Sequence, residues 1–238
     1  MLEPDPTTRT APASTRAPEA ELGGPHTLQI LTTEHWSLLA ARSLVYTESL
    51  SRTSIFVAAL TGSVVALALV AQATDFGSGF AAFALVLLPV VYFLGIVTIV
   101  RLAQVNWEDA RWVQGMNRIR NAYLQLAPEL EPYFVTSRFD DDLGILQSSV
   151  AMRKWPGPSQ AFVAVPGVVA VINSVVAGAT AGIAAIELGV GTGGALALGG
   201  AGFLLSLAGV VVWANRTIDR FRSDIEVLFP TPPPDSSS

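Results

Sequence analysis

Long intervals without a charged side chain alternate with segments whose apolar residues recur every three or four positions, and this alternation organises the chain. Thr53 to Thr74, Phe76 to Val100, Trp155 to Ile186 and Leu188 to Asn215 contain no Asp, Glu, Lys or Arg. Each meets or exceeds the ~20 residues that a helix needs to cross a bilayer core. Backbone in hydrocarbon must satisfy its own hydrogen bonds, and uninterrupted apolar runs of this length do so as helices. The spans are therefore placed at 54–73, 80–100, 162–186 and 195–213.

Beyond Arg101 the pattern changes from continuous to periodic. Leu102, Val105, Asp109, Trp112, Met116, Ile119, Tyr123 and Leu126 are spaced alternately by three and four, and all except Asp109 are apolar. Such a stripe marks a helix with a packing partner. Span 2 is thus predicted to continue as one rod from Phe80 to about Leu126, stopping before Pro128. At ~1.5 Å per residue the rod is on the order of 70 Å long. Upstream of span 1, Trp36, Leu39, Ser43, Tyr46 and Leu50 repeat the spacing after an expected N-cap at Thr33.

Spans 1 and 2 read as a hairpin, so their extensions emerge side by side and the two stripes are expected to bury against each other. Asp109, the polar exception, is expected at the rim of this seam near Arg111. Span 4 is expected to continue as a helix carrying Ile218, Phe221, Ile225 and Leu228 on one face, with Arg220–Asp224 and Arg222–Glu226 as i,i+4 pairs on the other. The fold class that follows is all-α. It is a polytopic membrane protein with four transmembrane helices in two hairpins, whose helical cytosolic extensions pack as an antiparallel coiled-coil-like stalk.

Charge distribution sets the orientation. Charged residues make up 14% of the chain, against about 25% in a soluble domain. The connections after spans 1 and 3 hold no Lys or Arg, so all 14 basic residues fall on the opposite side. The positive-inside rule then makes both termini and the middle segment cytoplasmic, in a multi-pass protein of the cell membrane. Trp155 and Trp213 fall near cytoplasmic span ends, where an indole anchors well.

Five regions result. Residues 1–27 are a Pro-, Thr- and Ala-rich tail without an apolar core, read as disordered. They lack the apolar stretch of a secretory signal, so span 1 is expected to stay as an anchor. Residues 28–126 form the first hairpin and its extensions, and 127–160 a cytosolic connector broken by Pro128, Pro132, Pro156 and Pro158. Residues 161–229 form the second hairpin with its terminal helix. Residues 230–238 are a second polar tail.

Within the spans the informative residues are small. Gly62 with Ala58 and Ala66, the G-x-x-x-G of Gly178 and Gly182, and Gly199 and Gly202 on span 4 are candidate helix-packing positions, because such faces let backbones approach closely. Asn173, followed by Ser174, is the one strongly polar side chain in a span core. It is expected to make an interhelical hydrogen bond, the alternative being a pore-lining group.

Chemistry is scarce elsewhere. The chain has no cysteine, which excludes disulfides and thiolate sites. His26 and His35 have no metal-ligand spacing and belong to no triad order. They read as solvated. Asp140, Asp141 and Asp142 do not match an EF-hand and are read as a solvated acidic loop. No nucleotide-binding or metalloprotease motif occurs. No catalytic, cofactor or metal residue is therefore assigned, and no enzyme is expected. The expected partners are the lipid bilayer, a second copy in a homo-oligomer and a cytosolic protein; nothing points to nucleic acid. The leading expectation is a non-enzymatic membrane interaction or scaffold protein, with a small oligomeric channel or membrane-disrupting effector as the alternative.

Overall fold

The computed structural model describes residues 24, 26–149, 165–223 and 225–233, the side chains of 221–223 excepted. Residues 1–23 and 25 of the expected N-terminal tail, residues 150–160 of the connector with Trp155, Pro156 and Pro158, residues 162–164 of span 3 and residues 234–238 lie outside them. Every regular element among the described residues is helical: α1 (Thr27–Thr74), α2 (Ser78–Leu126), a 3-10 turn (Pro128–Tyr133), α3 (Asp142–Ser148), α4 (Val165–Glu187) and α5 (Thr192–Ser223). Helices α1, α2, α4 and α5 are each long and apolar enough to cross a membrane.

Helix α1 starts six residues before the expected cap. Thr33 lies inside it and turns its hydroxyl back to the Gln29 carbonyl at 2.8 Å, a bond that competes with capping. At the other end Asp75 and Phe76 both take left-handed backbone conformations, φ 47° and 56°. Both N–H groups return to the Ala71 carbonyl, and Gly77 donates to the Thr74 carbonyl. This short turn joins α1 to α2, which packs against it.

The long helices are arranged in sequence: α1 packs on α2, α2 on α4, and α4 on α5. Helix α2 is central and buries residues on two sides. Phe56 from α1, Ala84, Leu88, Val91, Ile99 and Leu102 from α2, and Val169, Ala170 and Val176 from α4 make the main core. A second core, Leu38, Val113, Met116 and Ile119, lies in the charged halves of α1 and α2, with Leu31, Trp112, Tyr123 and Ile145 around it.

The periodic row of α2 behaves unevenly along its length. Leu102, Val105, Met116 and Ile119 are buried, Trp112 and Tyr123 are half-buried, and Leu126 is exposed. Val113 and Leu124, outside the row, are also buried. On α1 the expected row is the wrong one. Trp36, Leu39, Ser43, Tyr46 and Leu50 are all exposed. Leu31, His35, Leu38, Arg42, Val45 and Ser49 are partly or fully buried instead.

The physical reason is that two rows of 3,4 spacing lie side by side on α1, and the one with more polar members has partners. Arg42 donates from Nε to Asp109 Oδ1 at 2.7 Å and from the guanidinium to Oδ2 at 3.3 Å. His35 stacks on Tyr123 with ring centroids 6.0 Å apart. Asp109 is thus at the margin of the seam, as expected, where it binds Arg42, 67 positions away.

Helices α4 and α5 approach through glycine. A Cβ at Gly178 would lie 2.8 Å from the Gly199 carbonyl oxygen, and one at Gly202 would lie 2.9 Å from the Ala181 Cβ. Gly182 faces the Ala195 carbonyl and Gly199 Cα at ordinary contact distance. Gly62 differs, since a Cβ there would meet nothing within 4 Å. Its face is open rather than packed within the chain.

Helix α5 ends at Ser223, so the expected helical stripe is interrupted. Ile225 and Leu228 belong to a non-helical segment and are half-buried, while Ile218 is exposed. Glu226 also lies beyond the helix, while Asp224 and the side chains of Phe221 and Arg222, on which the rest of the stripe and both expected ion pairs depend, are outside the described residues. The reason lies in the Asp140 contacts described next.

Candidate functional site

Three places concentrate side chains whose arrangement exceeds plain packing. The first is the exposed row of α1. The stretch from Thr27 to Thr53 carries Glu34, His35, Arg42, Tyr46, Glu48 and Arg52 as its ionisable residues. Of these, Arg42 binds Asp109, and Glu48 accepts from Arg101 at 2.7 and 2.8 Å. Hydrogen bonding to Arg101 first of all, against a smaller effect of burial, holds the Glu48 carboxyl below its ordinary pKa. Arg52 pairs with Glu48 at 3.6 Å. Arg42 and Glu48 are held against α2, and the Arg42 guanidinium also lies 5.7 Å from the centre of the Tyr46 ring, whereas Trp36, at 66% exposed, and Leu50, at 65%, stay largely exposed.

At the end of the same helix pair, Leu28, Tyr123, Leu126, Leu130 and Phe134 line an apolar groove of about 480 Å³. Helix α2 stops here because Pro128 opens the 3-10 turn. His35 lies one turn along, half-buried. Burial and then the Arg120 cation lower its pKa below the ordinary histidine value, contrary to a solvated reading.

The second place is the acidic run. Asp140 is fully buried, not part of a solvated loop. Its carboxylate accepts from Arg118 Nε at 2.8 Å, from the Leu228 N–H at 3.0 Å and from the Phe229 N–H at 2.7 Å. The Asp140 N–H in turn donates to the Phe229 carbonyl at 3.1 Å. Gln114 donates to the carbonyls of Asp140 and Glu226, and Arg118 also donates to Glu226. These bonds take the backbone after Ser223 out of helical geometry, which accounts for the broken stripe.

Asp141 extends the clamp. It caps α3 by accepting from the Gly144 N–H, and it accepts from both the N–H and hydroxyl of Thr231 at 2.8 Å. Burial acts to raise its pKa, but the bonds from Thr231 and Gly144 prevail and hold it below the ordinary carboxylate range. Asn117, also fully buried, donates to the Phe139 carbonyl and accepts from Ser148 and Arg120. Sequence reasoning missed Gln114, Asn117 and Arg118. The only sequence signal was that three polar residues sit next to the apolar row of α2.

The third place is Asn173, in the apolar part of α4. It is fully buried, and neither amide atom finds a hydrogen-bond partner among the described residues. The expected interhelical hydrogen bond is therefore not made. The side chain lies instead against Gly95 of α2, where a Cβ would overlap it. Beside it, Ser174 donates to the Ala170 carbonyl at 2.8 Å and can accept from Ser206, whose Oγ is 3.1 Å away, and Ser206 lies 3.2 Å from the Tyr92 hydroxyl. Helices α2, α4 and α5 are thus linked by a short hydroxyl chain, with a close-packed amide at its edge.

Among the described residues, no group of three His, Cys, Asp or Glu is placed to hold a metal ion. The arrangement offers buried polar fastening and an exposed apolar row. No family model, curated protein or solved structure matches the chain.

Proposed function

We propose that the protein is a non-enzymatic integral membrane protein that serves as an interaction scaffold. Its four long helices cross the bilayer as two hairpins, with both termini and residues 101–160 in the cytosol. The one-sided placement of the basic residues supports this orientation. The charged halves of α1 and α2 then form a coiled-coil-like cytosolic stalk that extends on the order of 35 to 40 Å from the membrane.

The observation that carries the reading is the exposed row Trp36, Leu39, Tyr46 and Leu50. Large apolar side chains in lipid are unremarkable, but the same side chains aligned on a helix in water mark a surface for another protein. The channel alternative has less support. A pore requires a wetted polar face, whereas Asn173 is pressed on Gly95 and the α4–α5 contact is closed by glycine-to-backbone packing.

The test has two arms. Photo-cross-linking from residue 39 or 46 in native membranes should yield discrete protein adducts that Trp36→Ser with Leu50→Ser reduces. The purified protein in liposomes should release neither K⁺ nor a small fluorophore. Absence of any adduct defeats the scaffold reading. Flux abolished by Asn173→Leu in a folded protein establishes the channel instead.

A further inference from the structure

We infer that Gln114, Arg118, Asp140 and Asp141 form a recognition site for a non-helical peptide segment, and that residues 226–231 of this chain occupy it as an intramolecular ligand. The site goes beyond the scaffold reading, because it shares no residue with the exposed row of α1. Its contacts fall on the main chain of the segment. Gln114 Nε2 and an Arg118 guanidinium N–H both donate to the Glu226 carbonyl, at 3.0 and 2.6 Å. The Asp140 carboxylate takes the N–H groups of Leu228 and Phe229, and the Asp141 carboxylate takes that of Thr231. Pro230, between them, has no N–H to place. Every backbone donor from Leu228 to Thr231 is therefore matched by a carboxylate oxygen, and only the Thr231 hydroxyl adds a side-chain bond to these contacts.

The receiving side is held in place by bonds that do not involve the segment. Gln114 also donates to the Asp140 carbonyl, and Arg118 Nε to the Asp140 carboxylate. Asp141 caps α3 through the Gly144 N–H, while Asn117 binds the Phe139 carbonyl and the Ser148 hydroxyl. A Cβ at Gly144 would overlap the Phe139 carbonyl oxygen, so the loop before α3 is pressed against the first turn of that helix. Such bonds pre-organise a site, which lowers the ordering cost of whatever binds there.

The segment, by contrast, is fastened loosely. None of its residues belongs to either apolar core; Leu228, Phe229 and Thr231 are half-buried, and Glu226, Val227 and Pro230 are exposed. Main-chain bonds at a partly wetted surface exchange for bonds to water or to another backbone at little net cost. Because they read little side-chain identity, a segment of a second protein can supply them. The ligand chemistry is an acceptor carbonyl, two consecutive N–H groups beginning two residues later, then proline and a hydroxyl residue. The chain's own segment competes at an effective concentration on the order of millimolar, so it excludes weak ligands and yields to a stronger one.

The probe is a fluorescein-labelled peptide with the sequence of residues 225–233, measured by anisotropy against the full-length protein in detergent. In Leu228→Pro the chain's own segment loses a donor to Asp140, and in Thr231→Val it loses the hydroxyl bond to Asp141, while the receiving side chains are unchanged. Both variants should bind the peptide on the order of tenfold more tightly than the native protein, whose own segment competes. A peptide that itself carries Leu228→Pro should bind neither variant, and this control alters the ligand alone. Thr231→Val keeps the test open where Leu228→Pro fails to fold. No binding by folded Thr231→Val protein, or equal binding of the two peptides, overturns the inference. Equal affinity of native and variant proteins also overturns it, because the peptide then sits elsewhere. The photo-adducts at residues 39 and 46 judge the scaffold reading separately.

Discussion

The α1–α2 pair, whose charged halves form the proposed stalk, and the α4–α5 pair are both contacts between long helices, yet they are fastened by different means. In the stalk, Leu38, Val113, Met116 and Ile119 bury large side chains, and Arg42–Asp109 and Arg101–Glu48 close the margins. Between α4 and α5, Gly178, Gly199 and Gly202 bring backbone close to backbone, and Ser174 and Ser206 share a hydrogen bond. The difference follows from the proposed solvent. Water rewards removal of apolar area, so bulk stabilises the stalk. Lipid gives no such reward, and close shape fit has to supply the attraction.

The largest test of this contrast is to place charge in the stalk core. Met116→Asp with Ile119→Asp loses two apolar contacts and buries carboxylates, so the stalk should be destabilised by several kcal/mol, about 4 or more. Limited proteolysis in detergent should show residues 101–126 newly cleaved. Unchanged protection would mean that this core does not hold the stalk.

A smaller effect is expected from adding bulk between α4 and α5. Gly178→Leu must displace the Gly199 carbonyl or Phe203, costing about 1 to 3 kcal/mol in thermal stability. Gly62→Leu has open space and should remain within about 0.5 kcal/mol of the parent in detergent-solubilised monomer. Equal losses at both positions would remove the distinction between packed and open glycine faces.

The margins should contribute less than the cores. A double-mutant cycle on Arg42→Ala and Asp109→Ala should give a coupling of about 1 kcal/mol, because both side chains retain roughly a fifth of their exposure. The coupling should shrink as salt rises, whereas the Gly178→Leu effect should not. A salt-independent coupling would point to packing instead of charge.

The smallest expected effect is a pH dependence confined to the stalk. The folded state holds the His35 pKa below its unfolded value of 6.5, so the unfolded chain binds more protons on acidification. Stability contributed by neutral His35 is present above about pH 6.5 and declines as pH falls through that value towards the lower folded pKa. Stalk proteolysis should therefore quicken between pH 7.5 and 5.5, and His35→Gln should flatten the dependence. The same slope in the variant would assign the effect to another group.

The positions of the four long helices were legible because a charge-free run of 20 or more residues leaves the backbone few alternatives. The overrun of α2 to Leu126 was legible for a similar reason, since a 3,4 repeat persists until Pro128 removes a backbone donor. The Asp140 site was not legible. Three consecutive acids resemble any solvated loop until Arg118 and the N–H groups of Leu228 and Phe229, 22 to 89 positions away, are brought to one of them.

What the sequence determined by itself is therefore helix content, helix length and which halves of α1 and α2 are apolar, all properties of local composition and period. What only the tertiary structure decided is which face of each helix is used. On α1 the apolar row Trp36–Leu50 and the more polar row Leu31–Ser49 satisfy the same spacing, and local pattern favours the first. The second is buried because Asp109 and Tyr123 come from α2 to meet Arg42 and His35. A polar group can enter a seam when its partner arrives with the neighbouring helix, and that pairing is fixed by the fold rather than by the period.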